Sequence, residues 1–186
     1  MKKAVLSILL ILALLLGGLF LYAGLMIPVD FRVTRSTVIQ APATEIFPYL
    51  NNHMKMNSWN PWIKMDPNVK LSYSGPPEDV GAIIEWDGNR DVGAGRATIT
   101  HSTPGYLVRM KMDWFKPMEG TSTVDFSLKQ IGESTTVEWI IFGKNNIVLR
   151  VMCIFLDIDK MIGGSFESGL SELKKKVEAE HAGKVI

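Results

Sequence analysis

Apolar residues recur at Ile147, Val151, Phe155, Ile158, Ile162, Phe166, Leu170, Leu173 and Val177, in steps that keep one face of a helix apolar. The spacing predicts one long helix over 145–180, with Asn145 or Asn146 as N-cap, Lys174, Lys175 and Lys176 near its C-terminal end and Gly183 as a stop. If continuous, it is about 50 Å long at 1.5 Å per residue. Upstream the period falls to two. Leu71 and Tyr73; Ala82, Ile84 and Trp86; Ala97, Ile99 and His101; Tyr106, Val108, Met110, Met112 and Trp114; Val124, Phe126 and Leu128; and Val137, Trp139 and Ile141 share one face. The opposite positions, among them Lys70, Glu85, Arg96, Arg109, Asp125 and Glu138, are polar. Strands are therefore predicted over 69–74, 81–86, 92–102, 106–115, 121–130 and 134–142, separated by turn signals such as Gly75-Pro76-Pro77, Asp87-Gly88 and Pro104-Gly105. A further strand is expected over 30–40, followed by short helical pieces within 41–50 and 51–67. Consecutive strands joined by short turns imply an antiparallel sheet. Its single apolar face needs a cover, and the long C-terminal helix is the only element large enough to provide one.

The first 27 residues follow neither period. After Lys2 and Lys3, residues 4–27 contain no charge, about 36 Å of helix against a hydrocarbon core of roughly 30 Å. An uncleaved membrane anchor is expected. A cleaved signal peptide is the competing reading, but its apolar core is usually shorter and the best cleavage candidate, Leu21-Tyr22-Ala23, begins with a large residue. Lys2 and Lys3 are opposed by Arg32 and Arg35, and the balance places the following domain outside the cytoplasm. The expected organisation is an anchor over 1–28 and one domain over 29–186.

The formal net charge of +1 over 186 residues gives no electrostatic signature of nucleic-acid binding. Cys153 stands alone, and His53, His101 and His181 have no spacing that brings two onto one metal, so no metal or cofactor is expected. No nucleophile elbow or phosphate-binding loop occurs, and Val92-Gly93-Ala94-Gly95 stands at a strand start, where glycines serve turns or bulges. His101, on the apolar face, is either a ligand-orienting or basic group or a hydrogen-bonded rim residue. Trp59 and Trp62, bracketing Asn60-Pro61, either close a cavity or plug the core. Met110, Met112, Trp86, Trp114 and Trp139 either line a pocket or fill a core without one. Gly163-Gly164, costly in a helix, permits a kink or a close approach to the sheet. Before it, Phe155, Ile158 and Ile162 lie in a segment apolar nearly all round, expected to line a cavity, touch the membrane or lie under the sheet.

Trp59-Asn60-Pro61-Trp62, Asp66-Pro67, Tyr73-Ser74-Gly75, Val80-Gly81, Trp86-Asp87-Gly88-Asn89, Val92-Gly93-Ala94-Gly95, Phe166-Glu167, Gly169-Leu170 and Leu173-Lys174 carry a resemblance. Over roughly residues 29–180 the chain resembles the polyketide cyclase/dehydrase-like branch of the START/Bet v1 (SRPBCC) superfamily. The resemblance implies an α+β helix-grip fold, a curved antiparallel sheet of about seven strands around a long C-terminal helix. It also implies a hydrophobic cavity for a lipid or other apolar small molecule. The expected function is membrane-tethered binding of such a molecule, with Trp59, Trp62, Trp86, His101, Met110, Met112, Trp114, Trp139, Phe155, Ile158 and Ile162 as candidate lining. A cyclase or dehydratase, lacking a catalytic constellation here, and a non-catalytic envelope interaction module are the alternatives.

Overall fold

The computed structural model describes residues 2–184, so Met1 of the expected anchor and residues 185–186 of the expected domain lie outside the described residues. In chain order the elements are α1 (Lys2–Met26), β1 (Asp30–Ile39), α2 (Ala43–Ile46), α3 (His53–Asn57), α4 (Pro61–Met65), β2 (Lys70–Ser74), β3 (Ile83–Asp87), β4 (Ala94–Thr103), β5 (Leu107–Lys116), β6 (Gly120–Ile131), β7 (Ser134–Lys144), α5 (Ile147–Phe155) and α6 (Ile158–Lys184). The strands form one seven-stranded sheet in the order β1-β7-β6-β5-β4-β3-β2. From β2 to β7 each strand pairs antiparallel with the next. The tight reversals between β4 and β5 and between β6 and β7 turn on Gly105 and Gly132, at φ 68 and 62, where a side chain would be strained.

The C-terminal helical stretch is two helices rather than one. Leu156 is extended, at φ −122 and ψ 130, and separates α5 from α6. Asp157 precedes the first residue of α6 and Asp159 lies in its first turn, residue types favoured where helix amides are unpaired. The apolar periodicity runs through this break because both helices present apolar faces. Gly163-Gly164, by contrast, lies inside the continuous α6, and its role is close approach: a Cβ on Gly163 would overlap the Arg35 guanidinium, whereas one on Gly164 meets nothing within 4 Å.

The described residues divide into two compact units. One takes α1 and the chain up to Phe31 together with Lys144–Ile158, which includes α5. α1 is long and apolar enough to cross a membrane by length and composition, and Ala23 is its one buried residue. The other unit takes Arg32–Gly143 and the chain from Asp159 onward. Here the inward strand positions, including Val108, Phe126 and Val137, and the α6 stripe Phe166, Leu170, Leu173 and Val177 are buried. The cover is fastened at both ends. On β1, Arg35 reaches Asp159 at 2.8 Å and Glu167 at 2.7 Å. Near the far end, Tyr49 meets Glu180 and Glu45 meets His181 at 3.0 Å. Burial and the Glu180 carboxylate push the Tyr49 phenol up to about 12.

Candidate functional site

Cross-strand register builds one wall of a cavity. Ile84 stands opposite Ala97 and Ala97 opposite Met112. Met110 stands opposite Val124, Val124 opposite Ile141 and Phe126 opposite Trp139. Because side chains alternate, these pairs lie in rows on the same face. They line a cavity of about 300 Å³, at the lower end of the range for small-molecule sites. That is roughly ten water volumes.

The second wall comes from helices. Asn52 caps α3, accepting from the amides of Met54 and Lys55 at 2.9 and 3.1 Å. Asn60 caps α4 by accepting from Trp62 N at 3.1 Å, and Pro61 occupies the first turn, where it loses no hydrogen bond. These caps set His53, Met56, Trp62 and Ile63 against the cavity, while Ile162 and Phe166 approach it from α6. The Pro61 ring packs against Gly169, where a Cβ would meet Trp139 Cζ3 at 2.9 Å.

Trp and Phe rings form part of this boundary. Trp139 is stacked on Phe166 at 4.0 Å and meets Trp62 edge-on at 5.7 Å. At the other side Trp86 and Trp114 meet edge-on at 5.6 Å, across the glycine of the strand between them. A Cβ on Gly95 would lie 2.7 Å from Asp113 O and collide with the Trp86 ring. The Trp114 indole donates to Ser122 Oγ at 2.9 Å. Trp139 Nε1 is buried with no hydrogen-bond partner among the described residues. A buried unpaired donor costs about 1–3 kcal/mol.

The motif residues fix one rim. Asp66, 7% exposed, accepts from Asn68 N at 3.0 Å and from Asn89 N at 2.6 Å. Asn89 Oδ1 in turn accepts from Val92 N at 3.1 Å, and Asn89 Nδ2 donates to Met65 O at 3.2 Å. The loop after β3 is thereby stapled to the end of α4, which sets Val92 and Gly93 in the lining. Lys116, also at this rim, is paired with Asp87 at 2.8 Å.

The cavity brings together Trp62, Trp86, Met110, Met112, Trp114, Trp139 and Ile162 of the expected residues. Four others lie elsewhere. Trp59 is buried behind the wall, edge-on to Phe126 and Trp139 at 5.9 and 5.4 Å, with Nε1 donating to Tyr49 O at 3.1 Å. His101 faces outward, because a bulge between Ile99 and His101 reverses the alternation and sets it opposite Arg109. Its Nε2 is 3.0 Å from Thr103 Oγ1. Phe155 and Ile158 belong to the unit that contains α1, and neither lines the cavity.

His53 is the functional candidate missed from sequence. It is 3% exposed and lines the cavity, with Nε2 3.2 Å from Ala82 O. Burial lowers its pKa and the Ala82 carbonyl opposes that shift, so the neutral ring is favoured. Its only sequence signal was its place directly after an Asn-Asn helix start. Among the described residues no group of three His, Cys, Asp or Glu is arranged to hold a metal ion.

A family model described as polyketide cyclase / dehydrase and lipid transport matches residues 30–178. No curated protein matches the chain. Among solved structures the fold is similar to that of protein CV1439 from Chromobacterium violaceum, at 15% identity and TM-score 0.54 over 81% of this chain and 99% of that one. It is similar to ginseng major latex-like protein 151 from Panax ginseng, at 15% identity and TM-score 0.52 over 83% and 99%. It is also similar to StfQ, a di-domain ARO/CYC from the steffimycin biosynthetic pathway, at 10% identity and TM-score 0.58 over 83% of this chain and 52% of that one.

Proposed function

The chain belongs to the polyketide cyclase / dehydrase and lipid transport family, and from that premise we propose that it binds an apolar small molecule or lipid while tethered to a membrane by α1. The observation that carries the reading is the cavity. It is walled by tryptophan, methionine and aliphatic side chains. A molecule with an apolar body fills that volume and covers its walls. Methionines 110 and 112 adapt the wall to its shape.

The tether rests on the length and composition of α1. Lys2 and Lys3 before it favour a cytoplasmic N-terminus, which puts the ligand-binding unit outside the cytoplasm. The test is to isolate the full chain in polymer-excised membrane patches and identify its bound small molecules by mass spectrometry. The comparison is Ala97→Phe, which fills the cavity from a buried strand position. A species enriched with the native chain and lost with the variant supports the reading; identical profiles contradict it.

One observation favours a cyclase or dehydratase as the second reading. His53 is a neutral imidazole in the cavity wall, the form a general base requires. That reading requires the bound molecule to be chemically converted, and the conversion to be lost in His53→Gln.

A further inference from the structure

α5 is nine residues, IVLRVMCIF, with Arg150 as its one charged side chain. A helix that faces water normally carries a polar side, and α5 has none. Ile147, Val148, Met152 and Phe155 are exposed, as is Leu156 just beyond the helix, and Phe155 reaches 70%. An apolar surface of this kind needs a cover.

The contacts of Arg150 say where the cover lies. In a continuing helix the carbonyl of Gly24 would accept from the amide of residue 28, but Pro28 has none. Arg150 Nη2 donates to Gly24 O at 2.7 Å, and Arg150 Nε donates to Ile27 O at 2.8 Å. The lone charge of α5 is therefore spent on the backbone at the C-terminal end of α1. Asn146 supplies the matching service at the start of α5, accepting from Leu149 N at 2.9 Å. Ile147 Cδ1 lies 4.0 Å from where a Cβ on Gly24 would stand, so the helices pack closely there. Unpaired carbonyls cost several kcal/mol each in hydrocarbon, and Arg150 covers two of those at the end of α1, including the one that Pro28 leaves open.

We propose that α5 is a second membrane element, lying in the boundary layer of the bilayer that α1 enters, with Phe155, Met152 and Val148 against acyl chains. This rests on the reading of α1 as a membrane anchor. Its exposed apolar residues continue the apolar surface of α1, and its attachment to the last turn of α1 fixes its depth at the edge of the hydrocarbon. A lipid surface asks for no hydrogen bonds from its partner, and α5 offers none.

The test places single cysteines in the full chain on a Cys153→Ser background, since Cys153 is the only native cysteine. Fluorescent labels at Phe155→Cys on α5, Leu15→Cys on α1 and Ser171→Cys on α6 are compared in phosphatidylcholine vesicles with and without brominated acyl chains. The α5 label is expected to lose about half its emission in brominated vesicles and to resist aqueous iodide about twofold better than the α6 label. An α5 label open to iodide, with the α1 label still quenched by bromine, overturns this proposal and leaves the anchor standing. Protection from iodide without bromine quenching shows that protein, such as a second copy, covers α5, and also overturns it. Loss of bromine quenching at Leu15→Cys removes the anchor and the proposal together.

Discussion

Trp139 and Phe166 stack ring on ring, 4.0 Å between centroids and 7° between planes, and so join β7 to α6 at the wall of the cavity. The contact leaves the Trp139 indole nitrogen buried and unpaired. Such a donor persists at a cost to folding that the surrounding ring packing offsets.

Gly163 and Gly164 are adjacent in α6 but differ in surroundings. Gly164→Ala should stabilise by about 0.5–1 kcal/mol through helix propensity alone, its Cβ meeting open space. Gly163→Ala drives into the Arg35 guanidinium and displaces it from Asp159 and Glu167. It should give no gain, a difference of about 1 kcal/mol between the two variants in urea unfolding followed by tryptophan fluorescence.

His53 predicts a pH dependence. Burial lowers its folded-state pKa, while the unfolded chain titrates near the ordinary value of 6.5. Between those values the unfolded state holds more protons, so stability is full above about pH 6.5 and falls as pH drops through and below it. His53→Gln retains a donor toward Ala82 O and should flatten that slope between about pH 7 and pH 5. The carboxylates held low by cationic partners, such as Asp159 beside Arg35 and Glu172 beside Lys64, act at more acid pH. An unchanged slope in the variant would assign the dependence elsewhere.

Gly95 is required by the tryptophans around it. Gly95→Ala should destabilise by about 1–3 kcal/mol, because the new Cβ meets the Asp113 carbonyl as well as the Trp86 ring. Denaturant unfolding measures this, and a neutral result would mean that the Trp86–Trp114 contact is free to move.

Strand positions were legible because alternation is local: Ile84, Ala97, Met110, Val124 and Trp139 all face inward as their spacing implies. His101 was not, because one inserted residue at a bulge reverses every later side chain and leaves no sequence mark of its own. The division between α5 and α6 was obscured for a related reason. Phe155 and Ile158 keep a helical interval while Leu156 is extended between them, and Asp157 was the only local sign of a new start. His53 carried no motif; its significance comes from burial against Ala82, the residue just before β3 and far from His53 in the sequence. Cavity volume is set by how the sheet and α6 are spaced, a property of no single residue.

Photolabelling locates the bound molecule on the chain. The full chain in vesicles is irradiated with a diazirine-bearing medium-chain fatty acid, and modified residues are mapped by peptide mass spectrometry. Adducts at Met110, Met112, Trp114 or Ile162, abolished by Ala97→Phe, are the predicted result. Adducts confined to α1 and α5, unchanged by Ala97→Phe, would contradict a ligand between the sheet and α6.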